Sequence, residues 1–245
     1  MDIVLVVVLA IVGWFAGAAV WVVAHAQAAK RHPFGGPACD ACGAPLGRLA
    51  WLPLFGFGMA RRCPACGLSQ SALRPLFEVA VAAFFALLAA RQGWSLDLLA
   101  AVLFSLPLLV ILLVDWWTKL IYTNVIGAGL LLGFGFSLID GYRALINSLL
   151  SATGAVLVFG LLFVLAAVVY RNVRVVPFGL GDVYLAAMIG AMVRYPAVVS
   201  ALFLGIFLAG FILILLLATK RVSRRSAVPY GPFLCAGALI TLLTN

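Results

Sequence analysis

Eight apolar runs leave this chain few ways to fold. They lie at roughly 2–25, 74–91, 97–117, 120–139, 145–170, 181–193, 196–219 and 228–243. In hydrocarbon every backbone N–H and C=O must be satisfied internally, so a spanning run becomes a helix or joins a closed barrel. The runs are continuous rather than alternating, which excludes the barrel pattern. A crossing takes about 20 residues; the sixth run, 181–193, is short for a straight span and is expected to be partly re-entrant or packed within protein. Only 9% of residues are charged and 66% are hydrophobic, against about a quarter charged in soluble domains. The expected fold is an all-α polytopic membrane protein with about eight transmembrane helices. A small zinc-ribbon-like four-Cys module sits between the first and second. The chain divides accordingly into a first helix (1–25), the module (26–73) and a membrane core of about seven helices (74–245).

The first run has no basic flank and exceeds the ~7–15 apolar residues of a signal-peptide core. It is expected to be retained, although Ala24-His25-Ala26 has the look of a cleavage site. The net charge of +9 argues for topology rather than for nucleic acid, because the cations fall in short loops. Eight spans place 13 of the 16 basic residues on the side of the 26–73 loop, including Lys30, Arg74, Lys119, Arg171, Arg174 and the cluster from Lys220 to Arg225. Arg91, Arg143 and Arg194 fall on the other side. The excess of cations marks the cytoplasm, so the loop is expected inside and both termini outside.

The same count brings two acids to one face. Asp115 closes the third run, and Asp182 opens the sixth within Phe178-Gly179-Leu180-Gly181-Asp182. A carboxylate at the edge of hydrocarbon is expensive and is a functional candidate by default. Gly179 and Gly181 let the chain bend and let another segment approach. Two acids in one site share a proton, the basis of aspartyl proteolysis. The same pair would also suit a proton relay in a transporter, or sit idle in an assembly scaffold. Each acid has a plainer explanation too: Lys119 stands at i+4 from Asp115, and an acid at a helix N-terminus is favoured by the dipole. Glu78, one turn into the second run, is the third acid of interest, with Arg74 at i−4 as a ready partner.

Cys39-Asp40-Ala41-Cys42-Gly43 and Cys63-Pro64-Ala65-Cys66-Gly67 form two C-x-x-C-G knuckles. This is four-cysteine zinc spacing, and the reducing cytosol would not sustain disulfides. Four sulfurs close the coordination shell, so the ion is expected to be structural. His25 and His32 are then bystanders, and Cys235 in the last run is a small packed side chain.

Taken together these residues resemble the type IV prepilin peptidases, membrane aspartyl peptidases with a G-x-G-D motif. The likeness rests on five features in family order. They are the tandem C-x-x-C loop, Arg74-Pro75-Leu76-Phe77-Glu78, Asp115, Pro177-Phe178-Gly179-Leu180-Gly181-Asp182, and Val228-Pro229-Tyr230-Gly231-Pro232-Phe233. The resemblance implies removal of the basic leader of prepilins or pseudopilins at the cytoplasmic face of the bacterial inner membrane, with Asp115 and Asp182 as the catalytic pair. It implies pilus or secretion assembly components as partners, besides the bilayer. For many members it also implies N-methylation of the new terminus from S-adenosylmethionine, linked to the cysteine loop and Glu78. The chain departs from the family pattern at Gly17-Ala18 and Trp21, where Gly-Ser and Asn are common, and at Tyr122 and Tyr184. Both acids are retained.

Overall fold

The computed structural model describes residues 2–32, 35–39, 41–47, 52–53, 62–69, 71–169, 179–220 and 229–244. Asp40, Arg171, Arg174, Pro177, Phe178, Arg225 and Val228, named above, lie outside the described residues. Eight helices are present among the described residues: α1 (Ile3–Ala28), α2 (Leu73–Gln92), α3 (Leu96–Thr118), α4 (Thr123–Ile139), α5 (Tyr142–Val169), α6 (Leu180–Val193), α7 (Ala197–Ala218) and α8 (Gly231–Thr244). No helix pairs with a strand, and the only ladder contacts described are two isolated bridges in the cysteine loop. Five helices, α1, α2, α3, α5 and α7, are long and apolar enough to cross a membrane. The other three are shorter, with 17, 14 and 14 residues. At ~1.5 Å per residue, 14 residues span about 21 Å.

By its contacts the chain forms two compact units, Met1–Val102 and Leu103–Asn245, with the division falling inside α3. In the first unit, α1 lies along α2 over small residues. A methyl group on Gly13 would meet Phe85 Cβ at 2.8 Å, and one on Gly17 would meet Glu78 Cα at 3.0 Å. The Gly13-x-x-x-Gly17 face therefore lets two backbones approach closely, as such faces do between membrane helices. Asp2 caps α1, accepting from the Val4 N–H at 3.1 Å, and its other carboxylate oxygen accepts from the Trp94 indole at 3.0 Å.

In the second unit α6 is the centre. Ten of its fourteen residues, from Asp182 to Met192, are buried. A helix that is apolar all round belongs inside, and burial within protein is what makes so short a segment viable. Gly190 lies against the Ser151 carbonyl of α5, and the Ser148 hydroxyl donates to the Ala191 carbonyl at 2.7 Å. On another side Gly129 and Gly133 of α4 admit Met188 and the Ala191 backbone. α7 and α8 interlock through Gly205, which faces Leu234, and Gly237, which faces the Ala201 carbonyl. Asn147 holds the α6–α7 turn from both sides. Its amide donates to the Tyr195 carbonyl at 3.0 Å and its carbonyl accepts the Tyr195 N–H at 3.1 Å. Arg194 in that turn pairs with Asp140 at 2.7 Å. Asn147 and Ser148 of α5 are thus engaged with neighbouring backbone.

Candidate active site and four-cysteine cluster

Asp115 lies in the last turn of α3 and Asp182 in the first turn of α6. Their exposures are 4% and 8%. The carboxylates are within electrostatic reach of each other, and the Gly231 amide, at the start of α8, donates to Asp115. Asp182 is fixed by its own helix end. Its N–H donates to the Gly179 carbonyl at 3.1 Å, and its Oδ2 accepts the Gly179 N–H at 3.0 Å. Gly179 has no side chain to complete a reciprocal cap, so the carboxylate supplies the side-chain half alone.

Ile121 follows α3 and joins the segments. A methyl group on Gly181 would meet Ile121 Cβ at 3.1 Å, and one on Gly231 would meet Ile121 Cδ1 at 3.3 Å. Three helix ends therefore converge: the end of α3, the start of α6 and the start of α8. Lys119, in a left-handed conformation with φ 55°, also reaches Asp115 electrostatically. Cys235, one turn into α8, is fully buried within reach of both acids. The two candidate acids, which the span count assigns to one face, thus lie within electrostatic reach of each other. Sequence reasoning missed Ile121, Gly231 and Cys235 as neighbours. Only Gly231 carried a signal, by standing in a Pro-Tyr-Gly-Pro run.

The four candidate metal ligands, Cys39, Cys42, Cys63 and Cys66, also come together, all four sulfurs lying within 4.8 Å of one another. Cys39 and Cys66 are 3.6 Å apart, as are Cys42 and Cys63. Tetrahedral thiolates at ~2.3 Å from zinc would sit about 3.8 Å apart, so the cluster fits that ion. The two knuckles repeat one backbone design. Gly43 and Gly67 both have φ 73°, and their N–H groups donate to the Cys39 and Cys63 carbonyls at 3.0 and 2.8 Å. The backbone amides of Cys42 and Ala41 pull the Cys39 thiol down to about 6. The Leu68 amide pulls on Cys66 in the same sense, but desolvation and the neighbouring thiols prevail and push it up to about 12.

Glu78 is elsewhere. It is wholly buried against α1 and takes a 2.9 Å ion pair from Arg74. Trp21 of α1 packs at a tilt against two rings, its centroid 5.8 Å from Phe77 and 5.2 Å from His25.

Residues 10–92 match the bacterial peptidase A24 N-terminal domain, and residues 101–214 match the type IV leader peptidase family. The cysteines and Glu78 fall in the first match, and both aspartates in the second. The chain is 27% identical to a prepilin leader peptidase/N-methyltransferase of Bacillus subtilis (strain 168), covering 84% of this chain and 80% of that protein. It is 30% identical to a protein of the same name from Myxococcus xanthus (strain DK1622), over 77% of this chain and 56% of the relative. A Neisseria gonorrhoeae relative with that name is 26% identical over 84% and 70%. No solved structure matches. The two family matches together take in both acids and all four clustered cysteines, and on them the chain belongs to the type IV prepilin leader peptidase family.

Proposed function

We propose that this chain is the endopeptidase that removes the basic leader of type IV prepilins or pseudopilins, using Asp115 and Asp182 to activate one water. The reading is supported above all by the convergence of two buried acids from separate helices, each with a backbone N–H donor. The two acids share one proton, since neighbouring carboxylates do not both ionise easily. The ionised member takes a proton from the water, which attacks the scissile carbonyl. The protonated member donates a hydrogen bond to that carbonyl oxygen. That proton passes to the oxygen as the tetrahedral diol forms. On collapse the C–N bond breaks, the amine of the mature protein leaves with a proton from the acid that acted as base, and a diol hydroxyl returns its proton to the other acid. No covalent enzyme intermediate forms.

The setting we propose is the bacterial inner membrane, with the site and the cysteine module (26–73) on the cytoplasmic side and the peptidase core within 74–245. Pilus or secretion assembly components would be the partners. Zinc held by Cys39, Cys42, Cys63 and Cys66 would be structural, since four sulfurs leave no open position. The relatives' names add N-methyl transfer, which would draw on S-adenosylmethionine. Here Glu78 is sealed by Arg74, and the adjoining cavity lined by Trp21, His25, His32 and Arg74 holds about 140 Å³. That is below the roughly 300 Å³ at which pockets for such ligands begin. The described residues alone do not enclose a pocket of that size here.

The test is cleavage of a prepilin by the purified chain in proteoliposomes. Asp115→Asn and Asp182→Asn should each lose about 10²–10⁴-fold or more in rate. Either variant cutting at the wild-type rate would remove the pair from the mechanism.

A further inference from the structure

Gly231 has no positive φ, so its backbone does not require glycine. What it does require is space. A Cβ there would lie 2.5 Å from Asp115 Oδ2 and 3.1 Å from its Cγ. The helical glycines Gly13, Gly133, Gly190 and Gly205 face neighbouring backbone or apolar side chains. Among the described glycines, Gly231 is the one whose added carbon would come within 3 Å of a carboxylate oxygen. Its amide donates to that same group, and Ile121 is wedged between it and Gly181. Gly231 also lies beyond both segments that match the family models.

We propose that Gly231 is a positioning residue for the peptidase reaction: the backbone at the start of α8 seats the Asp115 carboxylate, and glycine is needed because a side chain would displace it. Ile121 keeps the three helix ends in register around that contact. The inference rests on the two-aspartate reading above. It adds α8, which supplies neither acid, to the elements that set the geometry of the pair. A shift of about 1 Å in a reacting group can cost about 10²-fold in rate.

The experiment compares Gly231→Ala, Gly231→Val, Asp115→Asn and the control Gly210→Ala in the proteoliposome assay, with thermal unfolding of each protein. Gly210 has nothing within 4 Å of its added carbon. The expected result is a kcat about 10–100-fold lower for Gly231→Ala and lower again for Gly231→Val, with KM within about twofold and a midpoint matching the control. A wild-type kcat in Gly231→Ala, with Asp115→Asn inactive, overturns the inference and leaves the aspartate reading standing. A loss in Gly231→Ala that follows KM or the unfolding midpoint overturns it in favour of simple packing. Should Gly231→Ala fail to fold, Ile121→Ala decides: a kcat-selective loss supports the inference and an unchanged kcat overturns it. An active Asp115→Asn would instead sink the underlying reading.

Discussion

Glu78 has no exposed surface, and its carboxylate is held by the Arg74 guanidinium at 2.9 Å. A buried pair of this kind adds little net stability, because desolvation offsets most of the attraction. Breaking it is another matter, since the buried carboxylate left behind loses its charged neighbour. Arg74→Met should therefore destabilise the chain by about 3–5 kcal/mol, and Arg74→Met combined with Glu78→Leu should recover most of that loss. Unfolding of the two variants in the same detergent checks this; equal destabilisation would mean that Glu78 has another means of support. The i,i+4 spacing makes this pair legible in the sequence. The packing of Trp21 against Phe77 and His25 is not, because a tryptophan in an apolar run gives no hint of its neighbours.

At the scale of elements, α6 depends on glycines that admit its partners. An added carbon on Gly190 would sit 2.7 Å from the Ser151 carbonyl oxygen, a backbone atom that cannot turn aside. Overpacking of this kind costs about 1–3 kcal/mol. Gly154, on α5, has nothing within 4 Å, and alanine there should be neutral or stabilising by up to ~1 kcal/mol. Unfolding midpoints should separate Gly190→Ala from Gly154→Ala in that order, and equal midpoints would mean that α6 can shift. The existence of all eight helices was legible, because an apolar run in a membrane has one solution. The ends of α4 and α8 were less so. Both were expected three residues earlier, at 120 and 228, and begin at Thr123 and Gly231. At α4 the cause is visible: Lys119 takes a left-handed turn and Tyr122 is extended, so Leu120 and Ile121 run outside the helix. Hydropathy cannot register this, because Leu120, Ile121 and Tyr122 are as apolar as a helix would be. The same extended segment places Ile121 against Gly181 and Gly231, so the part of the site that composition hid is the part built by a non-helical stretch.

Across the whole chain, two features can be tested without any substrate. The first is the metal. Zinc binds thiolates, so binding must release the protons still held by the cluster. Cys39 is ionised from about pH 6 upward, whereas Cys66 keeps its proton until about 12 unless an ion displaces it. Zinc affinity should therefore rise with pH and fall on acidification, at one ion per chain. Titration against a competing chelator at several pH values checks the slope, and an affinity independent of pH would contradict thiolate ligation. The second feature is orientation. The proposed orientation, argued from the excess of cations on the side of the 26–73 loop, has that loop in the cytoplasm. Cys42 and Cys66 are exposed there, whereas Cys235 is sealed in α8. Once zinc has been stripped, a membrane-impermeant thiol reagent should label inverted inner-membrane vesicles strongly and intact spheroplasts hardly at all. Cys39→Ser, Cys42→Ser, Cys63→Ser and Cys66→Ser combined should abolish the signal, since the remaining thiol is out of reach. Labelling from the spheroplast side would reverse the orientation, and with it the face on which a leader could be cut.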